Sequence, residues 1–351
     1  MDEIIYTTSE EQIRKLESQN LIFENKELAK DALSLFGYSN LVKSYREPYM
    51  ITTNDKKVYR SGVSFEQLCS LYKLDKSLRN AVMASMLDLE EHIKETAADV
   101  VAKSFGTHPD KYLEYRNYSN KRKRKPQFSL TGILRNMNKA LNSDKDPICH
   151  YRTVHKIVPP WILFKSVYFS TIINFIDQFK VSQKEEMVRK IYNTVPLGLP
   201  LESATKLMMD TLFICMEYRN TAAHGGRTYN YICDSKLRTE EIFNTRSEIN
   251  ISGFNQLLFL LHLLNYQNPY NNLNAALTAE LNRHCNLYPQ DMTYLGKILN
   301  MDIVPTLVVW ISKNSNKYHS NPHCSGLKNS TEIELEKAET QGYIPCKKCN
   351  K

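Results

Sequence analysis

The sequence lacks an apolar run long enough to cross a bilayer. The longest candidates are residues 161–173, which are interrupted by Lys165 and Ser166, and residues 257–264, which are too few. A spanning helix needs about 20 consecutive apolar residues. We therefore expect no transmembrane helix and no membrane partner.

We also expect no secretory leader, because residues 1–4 do not begin a basic segment followed by an apolar one. The chain contains 8 Cys, three of them in its last 28 residues. This distribution favours reduced thiols and a local metal site over a disulfide framework. We expect a cytoplasmic protein.

Glycine and proline are scarce. With 11 Gly and 13 Pro in 351 residues, the chain has little material for extended linkers. A hydrophobic content of 42% with 24% charged residues is ordinary for a globular protein. The formal net charge of +8 is a moderate positive bias that suits a polyanionic partner without identifying one.

Strand patterns of period two are almost absent before residue 306. Apolar residues instead recur at spacings of three and four, and the longest such region runs from Leu71 to Phe105 after a capping residue, Ser64. The polar residues 54–57 are interpreted as a connection. We predict a mainly α fold, in which a helical bundle with a helical N-terminal extension occupies residues 1–300.

The last fifty residues form a separate pattern. Residues 306–311 are β-branched and apolar, which predicts a strand, and residues 332–340 are predicted to be helical. A segment this short can scarcely bury a core of its own and needs a staple. We predict a small β/α module over residues 303–351 that is held together by a metal.

The candidate ligands of that metal are two close pairs, His319 with Cys324 and Cys346 with Cys349. Two pairs of borderline or soft ligands are what tetrahedral Zn²⁺ requires. Four protein ligands leave no open position for a reactive water, so we predict a structural Zn²⁺. His323 competes with His319 for the role of ligand, and incidental surface thiols are the alternative.

The stretch from Met216 to Arg227 combines groups that handle phosphates. Arg219 supplies donors that stay charged, His224 can exchange a proton near neutrality, and Asn220 can orient either. The apolar residues before them are spaced as in a helix, and Gly225 and Gly226 predict its end.

The plain alternative for this stretch is a histidine at a helix end beside an arginine in a surface ion pair. On an ideal helix, Arg219 and His224 lie about 140° apart. Either the helix therefore ends or distorts there, or the arginine side chain curls back.

Five consecutive basic residues are followed by Pro126 and flanked by Tyr115 and Tyr118. Like charges repel one another, so the run is predicted to be a solvated loop. The sharper interpretation is a nucleic-acid contact, since cations neutralise phosphates while rings stack on bases. Arg227 is a further candidate for the same contact. The run consists of Lys121, Arg122, Lys123, Arg124 and Lys125.

Several segments taken together resemble the Abi-like family of bacterial abortive-infection proteins, of the AbiD and AbiF type. The matching segments are residues 9–16, 37–45, 64–68, 71–79, 160–161 and 218–224. The resemblance implies membership of the HEPN superfamily, helical bundles whose R-x4-6-H motif cleaves RNA without a metal. Residues 301–349 are similar to a zinc-binding module found at the ends of nucleases and other DNA-associated proteins.

The resemblance implies a metal-independent RNA endonuclease that serves as a phage-defence toxin, with Arg219, Asn220 and His224 as catalytic residues and no cofactor for catalysis. Because the sequence contains one R-x4-H motif, we expect a homodimer that places two copies across one RNA. RNA would be the substrate or a regulator, and an antitoxin RNA or protein is a possible partner. The alternatives are a protein that binds RNA without cutting it and a DNA-directed role led by the zinc module.

Overall fold

The computed structural model describes residues 6–53, 55–243, 251–325, 327 and 329–349. The chain divides into two compact units. We call them the terminal unit, Met1–Leu78 with Ala275–Lys351, and the central unit, Arg79–Asn274. The boundary predicted between residues 1–300 and 303–351 stays a prediction.

Helices dominate the described residues, which confirms the mainly α fold. No described helix is both long and apolar enough to pass through a bilayer. The α-helices are α1 (Ser9–Glu17), α2 (Lys26–Phe36), α3 (Phe65–Phe105), α4 (Pro109–Tyr112), α5 (Leu130–Leu141), α6 (Ile148–His150), α7 (Pro160–Leu163), α8 (Phe169–Asp177), α9 (Val181–Ile191), α10 (Thr194–Leu197), α11 (Leu201–Ala223), α12 (Thr239–Phe243), α13 (Gly253–His262), α14 (Asn268–Leu287), α15 (Met292–Leu299) and α16 (Leu335–Thr340). Short 3-10 or π turns are Ser39–Lys43, Glu47–Tyr49, Tyr115–Asn117, Pro126–Phe128, Tyr151–His155, Phe164–Ser166 and Pro289–Asp291.

The predicted long helix is confirmed as α3, which has 41 residues. Its capping residue is also confirmed, because the Gln67 backbone N–H donates to Ser64 Oγ at 3.2 Å. Apolar side chains at helical spacing along α3, among them Leu74, Val82 and Leu89, are at most 1% exposed. Their burial accounts for the length of the helix better than propensity alone, because packing supplies most helical stability.

The terminal unit contains a β-hairpin that the sequence analysis missed. Strand β1 (Met50–Thr53) pairs antiparallel with β2 (Lys56–Tyr59), and Met50 faces Tyr59. The interpretation of residues 54–57 as a connection was therefore wrong for Lys56 and Lys57. Most side chains of both strands are exposed, so the hairpin lacks the alternation of apolar and polar residues on which strand prediction depends.

A buried polar network in the terminal unit centres on Asp291, which is 2% exposed. Tyr49 Oη donates to Asp291 at 2.6 Å, Gln67 Nε2 donates at 2.9 Å, and His284 Nε2 lies at 2.9 Å. The other ring nitrogen of His284 lies 2.8 Å from Ser70 Oγ. Burial acts to raise the pKa of Asp291, but these hydrogen bonds outweigh it and hold the pKa below its ordinary value.

The C-terminal sheet contains β3 (Val308–Ser312), β4 (Lys317–His319), β5 (Ser330–Glu334) and β6 (Ile344–Pro345) in the order β5-β3-β4-β6. Strand β3 is antiparallel to β4 and β5, and β4 is parallel to β6. Val309, Tyr318 and Ala338 form a small core beneath it. The predicted strand is confirmed as β3. The helix predicted over residues 332–340 begins only at Leu335, because residues up to Glu334 pair with β3.

Helix α11 is the centre of the central unit. It packs against α8, α9, α12 and α13. One of these partners, α13, is the apolar helix that follows residue 251. The side chains that α11 buries include Leu207, Met208, Leu212 and Tyr218.

Candidate functional site

The candidate catalytic motif lies at the C-terminal end of α11. Arg219 and Asn220 belong to the last turn of the helix, and His224 is the capping residue, with φ −91° and ψ 11°. Tyr218, immediately before the motif, is fully buried against Phe254 and Tyr231. The packing of Tyr218 therefore anchors the helix immediately before Arg219.

A Schellman motif ends the helix. The Gly225 N–H donates to the Ala222 carbonyl at 3.1 Å, and the Gly226 N–H donates to the Thr221 carbonyl at 2.8 Å. Gly225 has φ +72°, the left-handed conformation in which glycine is strongly favoured. The predicted end of the helix at the two glycines is confirmed. Of the alternatives for the motif, the helix ending at this point is the one observed.

Gly226 is required for a different reason than Gly225. A Cβ atom at this position would lie 2.8 Å from Thr221 Cγ2 and 3.1 Å from the Thr221 carbonyl oxygen. Any other residue would push the chain away from the last turn of α11. The two glycines together keep the backbone after His224 close to the helix end.

Arg219 is half-buried and is not satisfied by its neighbours. Its Nη1 lies 3.4 Å from Asn220 Oδ1, which makes a long hydrogen bond within the motif. Its Nε is buried and has no hydrogen-bond partner among the described residues. Most buried polar atoms in proteins have a hydrogen-bond partner, so this nitrogen is an exception among the described residues.

His224 is exposed, and its ring makes no hydrogen bond or ion pair with any residue that the structure describes. Its backbone N–H donates to the Asn220 carbonyl at 3.0 Å, so the backbone is held while the imidazole is accessible. Arg219 forms no ion pair with an acidic residue within the described ranges. The alternative interpretation of the motif, an arginine in a surface ion pair, is therefore not observed. The motif therefore combines an accessible imidazole with an incompletely bonded guanidinium.

Arg79 is a second arginine at this site, which the sequence analysis did not single out as functional. Its Nη1 donates to the Gly225 carbonyl at 2.8 Å, from a position 146 residues earlier in the chain. The contact braces the backbone just after His224. No local pattern around Arg79 predicts it, because the partner is a backbone carbonyl in a distant segment.

The segment after the glycines folds back against α11. Glu217 accepts hydrogen bonds from the backbone N–H groups of Asp234 at 2.8 Å and Ser235 at 2.9 Å, and from Tyr231 Oη at 3.2 Å. Arg227, one of the predicted RNA-binding residues, is exposed within this returning segment. The carboxylate thus closes a compact loop beside the motif.

The basic run, residues 121–125, lies outside helices and strands, as predicted. Two of its members are engaged by Asp177: Lys121 Nζ lies 3.0 Å from one carboxylate oxygen, and Lys123 forms an ion pair with the other. Lys123 Nζ also lies 5.3 Å from the centre of the Phe213 ring in α11. Phe213 precedes Arg219 by six residues, which is a rise of roughly 9 Å along the helix.

The other three members of the run are Arg122, Arg124 and Lys125. All three are exposed, and none of their side chains forms an ion pair or hydrogen bond within the part of the chain that the structure describes. The run therefore contains two kinds of residue, Lys121 and Lys123, which pair with Asp177, and three cations whose side chains are unpaired. The sequence alone does not distinguish them.

The four predicted metal ligands come together in the C-terminal module. The ligand atoms of His319, Cys324, Cys346 and Cys349 all lie within 4.8 Å of one another. Cys349 Sγ is 3.6 Å from His319 Nδ1. Tetrahedral coordination with metal–sulfur bonds of about 2.3 Å places ligand atoms roughly 3.5–4 Å apart, so the cluster has the size of a zinc site. The competing His323 is exposed and lies outside the cluster.

The surroundings of the cluster suit a bound cation. Backbone N–H groups of Lys348 and Cys349 donate to the Cys346 sulfur and lower the pKa of its thiol. Burial lowers the pKa of His319, which favours the neutral imidazole. Metal ligands must be a thiolate and a neutral imidazole, so both shifts favour binding. Three sulfurs and one nitrogen are the donor set of structural zinc sites.

The fold and the two sites define a mainly helical protein with an arginine–histidine motif at a helix end and a His/Cys cluster able to hold a metal. A family model described as Abi-like protein matches residues 31–230, which is more than half of the chain. The chain therefore belongs to the Abi-like protein family, and this membership supports a role in abortive infection. Comparisons with curated proteins and with solved structures found no match.

The matched region contains the basic run, Arg79 and the whole motif from Arg219 to His224. The C-terminal module lies outside it. The arginine–histidine motif and the metal cluster therefore belong to different parts of the chain, and only the former is covered by the family.

Proposed function

We propose that this chain is a metal-independent RNA endonuclease that acts as a toxin in abortive infection. The observation that carries the proposal is the accessible imidazole of His224 at the same helix end as the incompletely bonded guanidinium of Arg219. Family membership supports the role in defence. The net charge of +8 is compatible with an RNA substrate.

In the proposed reaction, the 2′-oxygen of the RNA attacks the adjacent phosphorus, and the bond from phosphorus to the 5′-oxygen breaks. The products carry a 2′,3′-cyclic phosphate and a 5′-hydroxyl. One proton leaves the 2′-hydroxyl and one reaches the departing 5′-oxygen, and the His224 imidazole can carry out either transfer. Because the substrate supplies its own nucleophile, this scheme requires no metal and no covalent enzyme intermediate.

Arg219 would bind the non-bridging oxygens of the scissile phosphate. Its Nη1, which makes only a long hydrogen bond to Asn220, would donate to them, and charge that develops on the oxygens would be stabilised. Asn220 and Arg79 would be positioning residues. Asn220 orients the Arg219 side chain, and Arg79 holds the Gly225 carbonyl and with it the backbone that carries His224.

A homodimer belongs to the proposal, because one histidine cannot easily remove one proton and deliver another in the same step. Two chains would place two copies of His224 across one RNA strand. Sedimentation and cleavage measured over the same range of protein concentration test this. We expect activity to appear with the dimer, and a monomer that cuts RNA at full rate would contradict the dimer.

Incubation of purified protein with labelled RNA tests the activity itself. We expect wild-type protein to produce cyclic-phosphate ends, and both His224→Ala and Arg219→Ala to lose cleavage. His108→Ala is a matched control, because His108 is an exposed histidine elsewhere in the central unit. Equal cleavage by His224→Ala and wild type would exclude the proposed mechanism.

The alternative is a protein that binds RNA without cutting it. The observation that favours it is the set of exposed cationic side chains Arg122, Arg124 and Lys125, which can bind phosphates without any proton transfer. If wild type and both variants retard RNA equally on a gel and leave it intact, the binding function replaces the enzymatic one. Duplex DNA, tested beside single-stranded RNA, distinguishes a DNA-directed protein from both.

We further propose that the His319, Cys324, Cys346 and Cys349 cluster binds one structural Zn²⁺. The donor set of three sulfurs and one imidazole nitrogen, with ligand atoms within 4.8 Å of one another, supports it. Metal analysis of protein purified under reducing conditions should find close to one equivalent of zinc per chain. A content well below half an equivalent would contradict the ligand assignment.

A further inference from the structure

The basic run is attached to the central unit through its backbone as well as its side chains. Gln178 accepts a hydrogen bond from the Lys121 N–H at 2.6 Å, and its Nε2 donates to the Lys121 carbonyl at 3.1 Å. The Ser119 N–H donates to the Gln178 carbonyl at 2.7 Å. A stretch of like charges that would otherwise be a mobile loop is thereby held at its start.

Asp177 completes the attachment. It lies at the C-terminal end of α8, and Lys184 Nζ donates to its backbone carbonyl at 2.7 Å and approaches one side-chain oxygen at 3.4 Å. Burial alone would raise the pKa of Asp177, but the hydrogen bond and charge of Lys123, with Lys184 and Lys121, lower it to about 2. Asp177 is therefore charged at neutral pH, and Lys121 and Lys123 are engaged by it.

The residues between and after these lysines have the opposite environment. Arg122 and Arg124 are exposed and form no ion pair or hydrogen bond within the described residues. They are two positions apart, so their Cα atoms are separated by no more than roughly 7 Å. Guanidinium groups bind phosphates through two parallel hydrogen bonds, and two of them this close suit neighbouring phosphates of one strand.

We propose that residues 119–125 form a phosphate strap, in which Asp177 and Gln178 hold Lys121 and Lys123 so that Arg122 and Arg124 bind consecutive phosphates of single-stranded RNA. The inference rests on the proposed function, since it names how the substrate strand is held. The position of Lys123 over Phe213 in α11 places the strap on the helix that carries Arg219. A strap that is already ordered loses less conformational entropy on binding than a free loop would.

Salt-dependent binding to RNA tests the division between engaged and free cations. The full-length His224→Ala protein, which is expected not to cut, serves as the parent, and anisotropy of a short labelled single-stranded RNA is followed between about 50 and 200 mM salt. Two double variants remove the same charge from the same run: Arg122→Gln with Arg124→Gln, and Lys121→Gln with Lys123→Gln.

For the arginine pair we expect the slope of log K against log salt to become shallower by about 1.4, because each phosphate contact on a single strand contributes about 0.7. If the variant and its parent bind equally at 1 M salt, this change of slope corresponds to roughly 25-fold weaker binding at 0.1 M salt. Arg122→Lys with Arg124→Lys should keep the slope. For the lysine pair we expect an unchanged slope and a lower midpoint of thermal unfolding, because these residues contact protein.

Equal changes in the slope of log K against log salt for both pairs of variants would contradict the proposed strap, because all the cations of the run would then contribute alike to binding. An unchanged slope in the arginine pair would overturn it as well. In either case, RNA cleavage by the wild-type protein would leave the proposed function standing. If the parent does not bind RNA even at the lowest salt and the wild type does not cut it, the proposed function fails and the strap fails with it.

Discussion

The end of α11 and the C-terminal cluster each present a histidine near groups that bind ligands, but their surroundings differ. His224 is exposed and its ring has no partner among the described residues, whereas His319 is 2% exposed and lies among three sulfurs. Arg219 retains an unpaired buried nitrogen, whereas the donor set of the cluster is complete for a tetrahedral ion. The first region has an accessible imidazole and an arginine with one long hydrogen bond, and the second has a donor set suited to a resident metal.

This difference separates activity from stability. An exposed group with few contacts contributes little to the free energy of unfolding, so its replacement leaves the fold intact. A buried ligand of a structural metal contributes the binding free energy of the metal to folding. Variants in the two regions are therefore expected to affect different measurements.

The largest effect is expected from the loss of the metal. Cys346→Ser should release Zn²⁺ and unfold the module, because structural zinc contributes about 10–16 kcal/mol of apparent binding free energy in small domains. Zinc content and limited proteolysis of residues 303–349 measure it. His323→Ala, an exposed neighbour of the cluster, is the matched control and should change neither. Loss of RNA cleavage by Cys346→Ser with the module still resistant to protease would show that the cluster is not merely structural.

The two histidines provide the next comparison. His224→Ala should lower the single-turnover rate of RNA cleavage by about 10²–10⁴-fold, as the loss of a general acid or base does, with the free energy of unfolding changed by less than about 0.5 kcal/mol. His319→Ala should do the reverse, destabilising the module while the cleavage rate per folded molecule is kept. The cleavage rate and the free energy of unfolding are measured for both variants. If the two variants change both quantities to a similar extent, the separation of activity from stability is wrong.

Asp177 extends the comparison between residues with and without partners. It lies in the same unit as α11, but its carboxylate pairs with Lys121 and Lys123. Its pKa is lowered from 3.8 to about 2 in the folded protein. The stabilisation of about 2 kcal/mol is therefore present above pH 4 and is lost as the pH falls towards 2. The free energy of unfolding, measured against pH, should fall in acid by about 2 kcal/mol less in Asp177→Asn than in wild type. Parallel pH profiles would mean that the ion pairs contribute nothing.

The smallest effect is expected at Gly225. Gly225→Ala places a Cβ atom in the left-handed conformation and should lower the free energy of unfolding by about 1 kcal/mol. Gly225→Asn should cost less, because asparagine tolerates this conformation. Denaturant unfolding compares the three proteins. If alanine and asparagine are equally tolerated, the helix end is not held in the conformation described.

Local patterns were sufficient for much of the fold. The 41-residue helix α3, its Ser64 cap and the end of α11 at two glycines follow from spacing and from backbone preferences that operate within a few residues. The hairpin at β1 and β2 and the strand β5 were not predicted, because their pairing depends on segments that a local pattern does not include.

The sequence by itself determined which chemical groups the protein has: an arginine and a histidine at a helix end, a run of five cations, and three cysteines with two histidines near the C-terminus. The tertiary structure alone decided that His319 and not His323 joins the cluster, that Arg79 braces Gly225, and that Asp177 engages Lys121 and Lys123. Each of these choices is made by contacts between segments far apart in the chain, and such contacts exist only once the helices and strands have packed together.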